Sequence, residues 1–159
     1  MKEYKLFING SFNMDQHILS FLLRAKKNTY AAHGAEAPSS RPNSHDLQYS
    51  EGDLLYIDSY LGGLQFAGEE AVWDGDVPLW TMNYCGRVVA DGFNGDFLKR
   101  ALLLVPDDAP YRGPELYVEQ DMEYRCHAKG DATWYQGYEE ITVGGKRVYE
   151  CFYHGGVIL

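Results

Sequence analysis

Glu70 and Glu139 are the residues whose type and setting could do chemistry. Each stands in an alternating stretch, FAGEEAV at 66–72 and YQGYEEI at 135–141. The two-residue period of a strand puts Phe66, Gly68, Glu70 and Val72 on one face, and Tyr135, Gly137, Glu139 and Ile141 on the matching face. The segments that follow alternate in the same way: Trp80, Met82, Tyr84, Gly86 and Val88 share a face, as do Tyr149, Cys151, Tyr153, Gly155 and Val157. A cavity lined by these faces would be aromatic and hold two acids.

Three uses of such acids are open. Each glutamate can be a buried acceptor of tyrosine hydroxyls or turn amides. A carboxylate among aromatic faces can hold an organic cation. A pair of carboxylates can share general acid and base work if their surroundings push their pKa values apart, but near-identical settings supply no such difference. Two ionised carboxylates in an apolar cavity repel and lose hydration, so at least one is expected to titrate high unless hydrogen bonds or a cation compensate. The candidate ligand-binding set is Glu70, Glu139, Trp80, Tyr84, Tyr149 and Tyr153, joined by Tyr56 and Tyr124 from the preceding segments. On this reading the glutamates approach a common axis, and Gln at either position weakens cation binding without loss of stability.

The elements that must position these residues can be read from a repeat. Shifting the sequence by 69 positions lays Gly137, Glu139, Gly144, Tyr153, Gly155 and Val157 on Gly68, Glu70, Gly75, Tyr84, Gly86 and Val88, and FLLRA at 21–25 is echoed by FLKRA at 97–101. The expected fold is α+β: a helix followed by a three-stranded antiparallel meander, duplicated, with both copies sharing one mixed sheet and one core about a pseudo-twofold axis. The whole chain, 1–159, is then a single domain, with an N-terminal extension at 1–14, a first repeat at 15–90 and a second at 91–159.

Ile18, Leu19, Phe21, Leu22 and Ala25 recur at helical steps, with Asn13 and Gln16 resembling a capping box. A second helix is expected over 91–105, with Asn94 as its cap, Phe93 and Leu98 as a staple and Pro106 as its stop. YKLFINGSF at 4–12 resembles an edge strand and tight turn. Residues 29–46 lack either period and are expected to form a long loop, seven residues longer than its equivalent in the second copy and mobile over 35–43. The triplet Ser44-His45-Asp46 is read as polar capping rather than a catalytic triad, whose members seldom adjoin in sequence.

A net charge of −9 and a pI of about 4.9 argue against direct nucleic-acid binding and favour cationic or neutral small partners. Three cysteines without C-x-x-C spacing point away from a disulfide framework or zinc site and toward reduced thiols in the cytoplasm. His17, His33, His45, His127 and His154 include no metal-binding spacing, and no glycine-rich phosphate loop is present. No cofactor, metal or membrane attachment is expected.

FLLRAKKNTYA, SRPNSHDLQYSEGDLLYIDSYLGG, FAGEEAVW, MNYCGRV, GDFLKRALLLVP, PYRGPELY, WYQGYEEI and VYECFYHGGVI together resemble a bacterial domain of unknown function that is met alone or behind an Xre-type helix-turn-helix. The resemblance covers about residues 17–158 and implies a regulatory, sensor-like setting, with no catalytic residues to transfer. The expected architecture is also similar to that of GyrI-like effector-binding domains, an analogy of fold alone. The expectation is therefore a regulatory small-molecule-binding or sensor domain, with an organic cation as the favoured ligand and binding favoured over catalysis. A hydrolase using the cleft glutamates and a protein-interaction or dimerising domain are the alternatives.

Overall fold

The computed structural model describes residues 14–32 and 34–158. Its centre is one nine-stranded sheet in the order β1-β2-β3-β4-β5-β9-β8-β7-β6. The first five strands are β1 (Glu36–Ala37), β2 (His45–Glu51), β3 (Leu54–Gly62), β4 (Gln65–Asp74) and β5 (Val77–Val88). The other four are β6 (Leu116–Glu119), β7 (Met122–Asp131), β8 (Trp134–Val143) and β9 (Lys146–Val157). Every neighbouring pair is antiparallel.

This corrects the expected duplicated helix-plus-three-strand unit in a mixed sheet. A single continuous sheet runs through the molecule, four strands lie on each side of the β5–β9 seam, and β1 adds an edge that β6 does not match. The missed strands are the two-residue β1, too short to show a period, and β2 (HDLQYSE) and β6 (LYVE), whose polar residues dilute the alternation that marks a strand. All three lie toward the edges, where one side of the ladder meets less of the core and polar residues cost little. At the seam Tyr84 lies opposite Tyr153.

The helices are α1 (Gln16–Asn28) and α2 (Gly95–Leu103). Asp15 caps α1, its Oδ1 accepting from the His17 amide at 2.7 Å. The expected Asn13 cap, the edge strand and turn at 4–12, and His33 lie outside the described residues. Asn94 caps α2 as expected, accepting from the amides of Asp96 and Phe97. Phe21, Leu22 and Ala25 of α1 and Phe97, Leu98, Ala101 and Leu102 of α2 are buried in one core with Tyr56, Val72, Trp80, Met82, Tyr124, Ile141 and Tyr149 of the sheet.

Residues 29–46 contain a 3-10 turn (Tyr30–Ala32), β1 and the start of β2. Buried Asp46 accepts from the Ser40 amide and the Ser59 hydroxyl, and Arg41 donates to Ser59, so side-chain bonds tie this segment to β3. Burial pushes the Asp46 carboxyl up, but hydrogen bonds from Ser40, Ser44 and Ser59 outweigh it and bring its pKa down to about 2. Ser44 and Asp46 are thus loop fasteners. His45 stacks on Tyr60 and bonds Glu36 through Nδ1.

Candidate functional site

Five charged side chains are buried together between the helices and the sheet: Lys26, Asp58, Glu70, Arg112 and Glu139. Asp58, Glu70 and Glu139 come from β3, β4 and β8, whose inward positions also carry Tyr56, Val72 and Tyr135 respectively. Lys26 comes from α1, one turn beyond Leu22 on the buried stripe. Arg112 comes from the segment after α2, where Tyr111 stacks on Tyr135 with ring centroids 3.8 Å apart. Gly113 is required beside it, because a Cβ there would lie 2.7 Å from the Tyr124 ring, whose hydroxyl instead accepts the Gly113 amide.

Glu139 is saturated. Arg112 donates to it twice, from Nη2 to Oε1 at 2.6 Å and from Nε to Oε2 at 3.1 Å, while Tyr124 and Tyr149 donate at 2.6 and 2.8 Å. Four donors meet the acceptor capacity of a carboxylate, which makes Glu139 the buried acceptor of a closed network. Burial, the largest influence on Arg112, lowers its pKa, but the Glu139 charge and neighbouring groups more than reverse this. Burial pushes the Tyr124 and Tyr149 hydroxyls well above the ordinary phenol value, and the Glu139 charge adds to it.

Glu70 is paired with Lys26, which also donates to the Tyr111 carbonyl at 2.8 Å. Arg112 Nη1 lies 3.9 Å from its other oxygen. Burial lowers the Lys26 pKa and Glu70 opposes the shift. The compensating cations that two buried acids demand are therefore supplied by the chain itself. This reverses the expectation that Gln at position 70 or 139 would leave stability intact, because it would now strand a buried cation.

Asp58 is different. Its one side-chain hydrogen bond among the described residues comes from the Tyr84 hydroxyl at 2.5 Å, and it has no ion pair there. Desolvation first, and then the Glu70 charge, push its pKa up to about 7, against the opposing effects of Tyr84, Lys26 and Arg112.

A cavity of about 340 Å³ opens over this cluster. Its polar end is formed by Lys26, Asp58, Glu70, Tyr84 and Arg112, and its apolar wall by Phe66, Phe93, Leu98, Leu102 and Val105. Of the expected site residues, Glu70, Tyr56, Tyr84 and Tyr149 line it. Glu139, Trp80, Tyr124 and Tyr153 do not. Trp80 is fully buried and stacks on Tyr135, and the Tyr153 hydroxyl meets Cys126 Sγ at 3.0 Å. The cavity reaches the β5–β9 seam through Tyr84 and Val88 of β5 and through Tyr149 of β9, the partner of Val88, but it is one-sided: the rest of its lining comes from residues 26–112.

Lys26, Asp58 and Arg112 escaped the sequence reading. Lys26 sits on an otherwise apolar helix stripe and Asp58 alternates in phase with Tyr56 and Leu54, so each breaks a hydrophobic pattern in a way that signals a buried charge. Arg112 follows no period and had no comparable signal.

Among the described residues, no group of three or more His, Cys, Asp or Glu is placed to hold a metal, and no helix is long and apolar enough to cross a membrane. Residues 58–158 match the model of a domain of unknown function, DUF5680. The chain belongs to that family. The match begins at Asp58 and takes in Glu70, Tyr84, Arg112 and Glu139, whereas Lys26 and α1 precede it. No curated protein and no solved structure matches the chain.

Proposed function

We propose that this DUF5680 domain binds a small molecule in the cavity beneath its two helices. The observation that carries the reading is a cavity with an apolar wall and a hydrogen-bonding end, kept open inside a core that is elsewhere closely filled by aromatic rings. Its polar groups are fixed before any ligand arrives, since Lys26, Glu70 and Arg112 hold one another in place. Native mass spectrometry of freshly purified protein tests this by looking for a retained small molecule. Displacement of that molecule by Leu102→Trp, which fills the apolar wall, is the expected outcome.

The ion pairs favour binding over hydrolysis. Glu70 and Glu139 are engaged with Lys26 and Arg112, leaving neither disposed as a free base. A regulatory, sensor-like role draws on the resemblance to domains found behind Xre-type readers; the analogy to GyrI-like domains depended on the duplicated architecture and falls with it. Three free cysteines support a reducing compartment, the cytoplasm, as the place of action.

A second reading, as an interaction or dimerising domain, is favoured by Phe152, Trp134 and Leu64, which are 59%, 82% and 73% exposed. Sedimentation at micromolar concentrations separates the two readings. A dimer disrupted by Phe152→Ser would support the second.

A further inference from the structure

We propose that the cavity takes an organic monocation, an amine or amidine on an aromatic or branched apolar body, with Asp58 as its anchor. This rests on the reading of the cavity as a ligand site and adds the charge of what enters it. The argument is a count of buried charges. Lys26 and Arg112 supply two positive charges, and Glu70 and Glu139 hold them. Asp58 is the third acid, it lines the cavity, and its only hydrogen-bond donor among the described residues is Tyr84. An ionised Asp58 leaves the cluster one negative charge in excess in a poorly hydrated place.

A ligand cation beside Asp58 cancels that excess and forms a charge-assisted hydrogen bond. The surroundings suit its body. Tyr30, Tyr60, Phe66 and Tyr84 line the same cavity and offer aromatic faces, which attract cations as well as apolar groups. An anion finds no such place, because both cavity cations are engaged by carboxylates. A neutral ligand leaves the Asp58 proton where it is.

The charged and titratable groups around Asp58 are Lys26 from α1, Tyr30 from the 3-10 turn, His45 from β2, Tyr56 and Tyr60 from β3, Glu70 from β4, Tyr84 from β5 and Arg112 from the segment before β6. With Asp58 protonated, arrival of a monocation displaces one proton to solvent. With Asp58 ionised it displaces none. Affinity for the cation therefore rises with pH up to neutrality and then levels, by up to tenfold per unit. His45 is the other group to separate.

Titration calorimetry with benzylamine, phenethylamine and benzamidine, beside benzyl alcohol and phenylacetate, tests the proposal at pH 6, 7 and 8.5. The expected result is amine binding at least tenfold tighter at pH 8.5 than at pH 6, with about one proton released at pH 6 in buffers of different ionisation enthalpy. Asp58→Asn should remove the preference for amines while keeping the binding of benzyl alcohol, and His45→Gln should leave the preference unchanged. The proton count on the wild type stands even if the Asn variant folds poorly. Amines that bind no better than the alcohol, or with no proton release at pH 6, overturn the cation anchor and leave the cavity as a neutral-ligand site. Phenylacetate binding best overturns it as well. Failure of every probe, with no retained molecule by native mass spectrometry, overturns the ligand-site reading itself.

Discussion

Arg112 and Glu139 form a two-pronged pair inside the protein, 2.6 Å at one prong and 3.1 Å at the other, with the carboxylate fully buried. The pair joins a segment that has no regular structure to the middle of β8. Tyr124 and Tyr149 complete the coordination of the carboxylate, so removing either charged partner leaves the other buried without compensation. Arg112→Met and Glu139→Gln are each expected to destabilise the fold by about 3–5 kcal/mol. The double substitution should cost clearly less than the sum. Urea unfolding of the four proteins checks this as a double-mutant cycle.

Asp58 gives stability an unusual pH dependence. Its folded pKa of about 7 lies above the ordinary carboxylate value near 4, so between those limits the native state holds a proton that the unfolded chain has released. The stabilising effect of that proton is full below about pH 4 and is lost as pH rises through about 7. Without ligand, the wild-type melting temperature is expected to fall relative to Asp58→Asn between pH 5 and pH 8. The difference between the two melting curves isolates Asp58 from every other titrating group. A flat difference across that range would show that Asp58 ionises at no cost.

The sequence revealed which strand faces turn inward, and the burial of Trp80, Met82, Tyr84, Tyr149, Cys151 and Tyr153 follows the period of two. It also placed the Asn94 cap, because a capping side chain acts on its own neighbours. What stayed hidden depends on distant partners. Glu70 and Glu139 look alike along the chain, yet Glu70 borders the cavity and pairs with α1 while Glu139 is sealed by Arg112 and two tyrosines. Nothing local to either glutamate encodes which cation will reach it. The near-equivalence of the two stretches therefore suggested a symmetric site shared by both glutamates, whereas the asymmetric delivery of Lys26 and Arg112 goes with a cavity that takes in Glu70 and reaches the seam but leaves Glu139 out.

Thiol reactivity should sort the cysteines by environment. Cys85 is exposed, whereas burial pushes the Cys126 thiol up to about 11 and the Cys151 thiol up to about 12. A disulfide reagent at pH 8 is expected to modify one thiol rapidly in the native protein and three after denaturation. Cys85→Ser should abolish the rapid phase. Fast modification of a second thiol would mean that the core around Cys126 or Cys151 opens on the timescale of the reaction.

Two glycines are set by close approach rather than by a turn. A Cβ on Gly68 would lie 2.6 Å from Cζ of Tyr84, and one on Gly137 would lie 2.1 Å from Cζ of Tyr153, so each tyrosine ring lies directly over a bare backbone in the adjoining strand. The space matters most for Tyr84, because the ring that crosses Gly68 carries the hydroxyl bonded to Asp58. Gly68→Ala must push that ring aside, whereas Gly137→Ala displaces a ring outside the cavity. Both substitutions are expected to cost about 1–3 kcal/mol through overpacking. Only Gly68→Ala should also change the pH dependence of stability between pH 5 and pH 8, since it alone disturbs the donor that holds Asp58. Replacing Tyr153 with Ala should erase most of the penalty of Gly137→Ala, and melting curves of the single and double variants at three pH values decide both points. If Gly68→Ala shifts the melting temperature equally at every pH, the Tyr84 hydroxyl keeps its bond to Asp58 despite the crowding, and the ring adjusts without moving its oxygen.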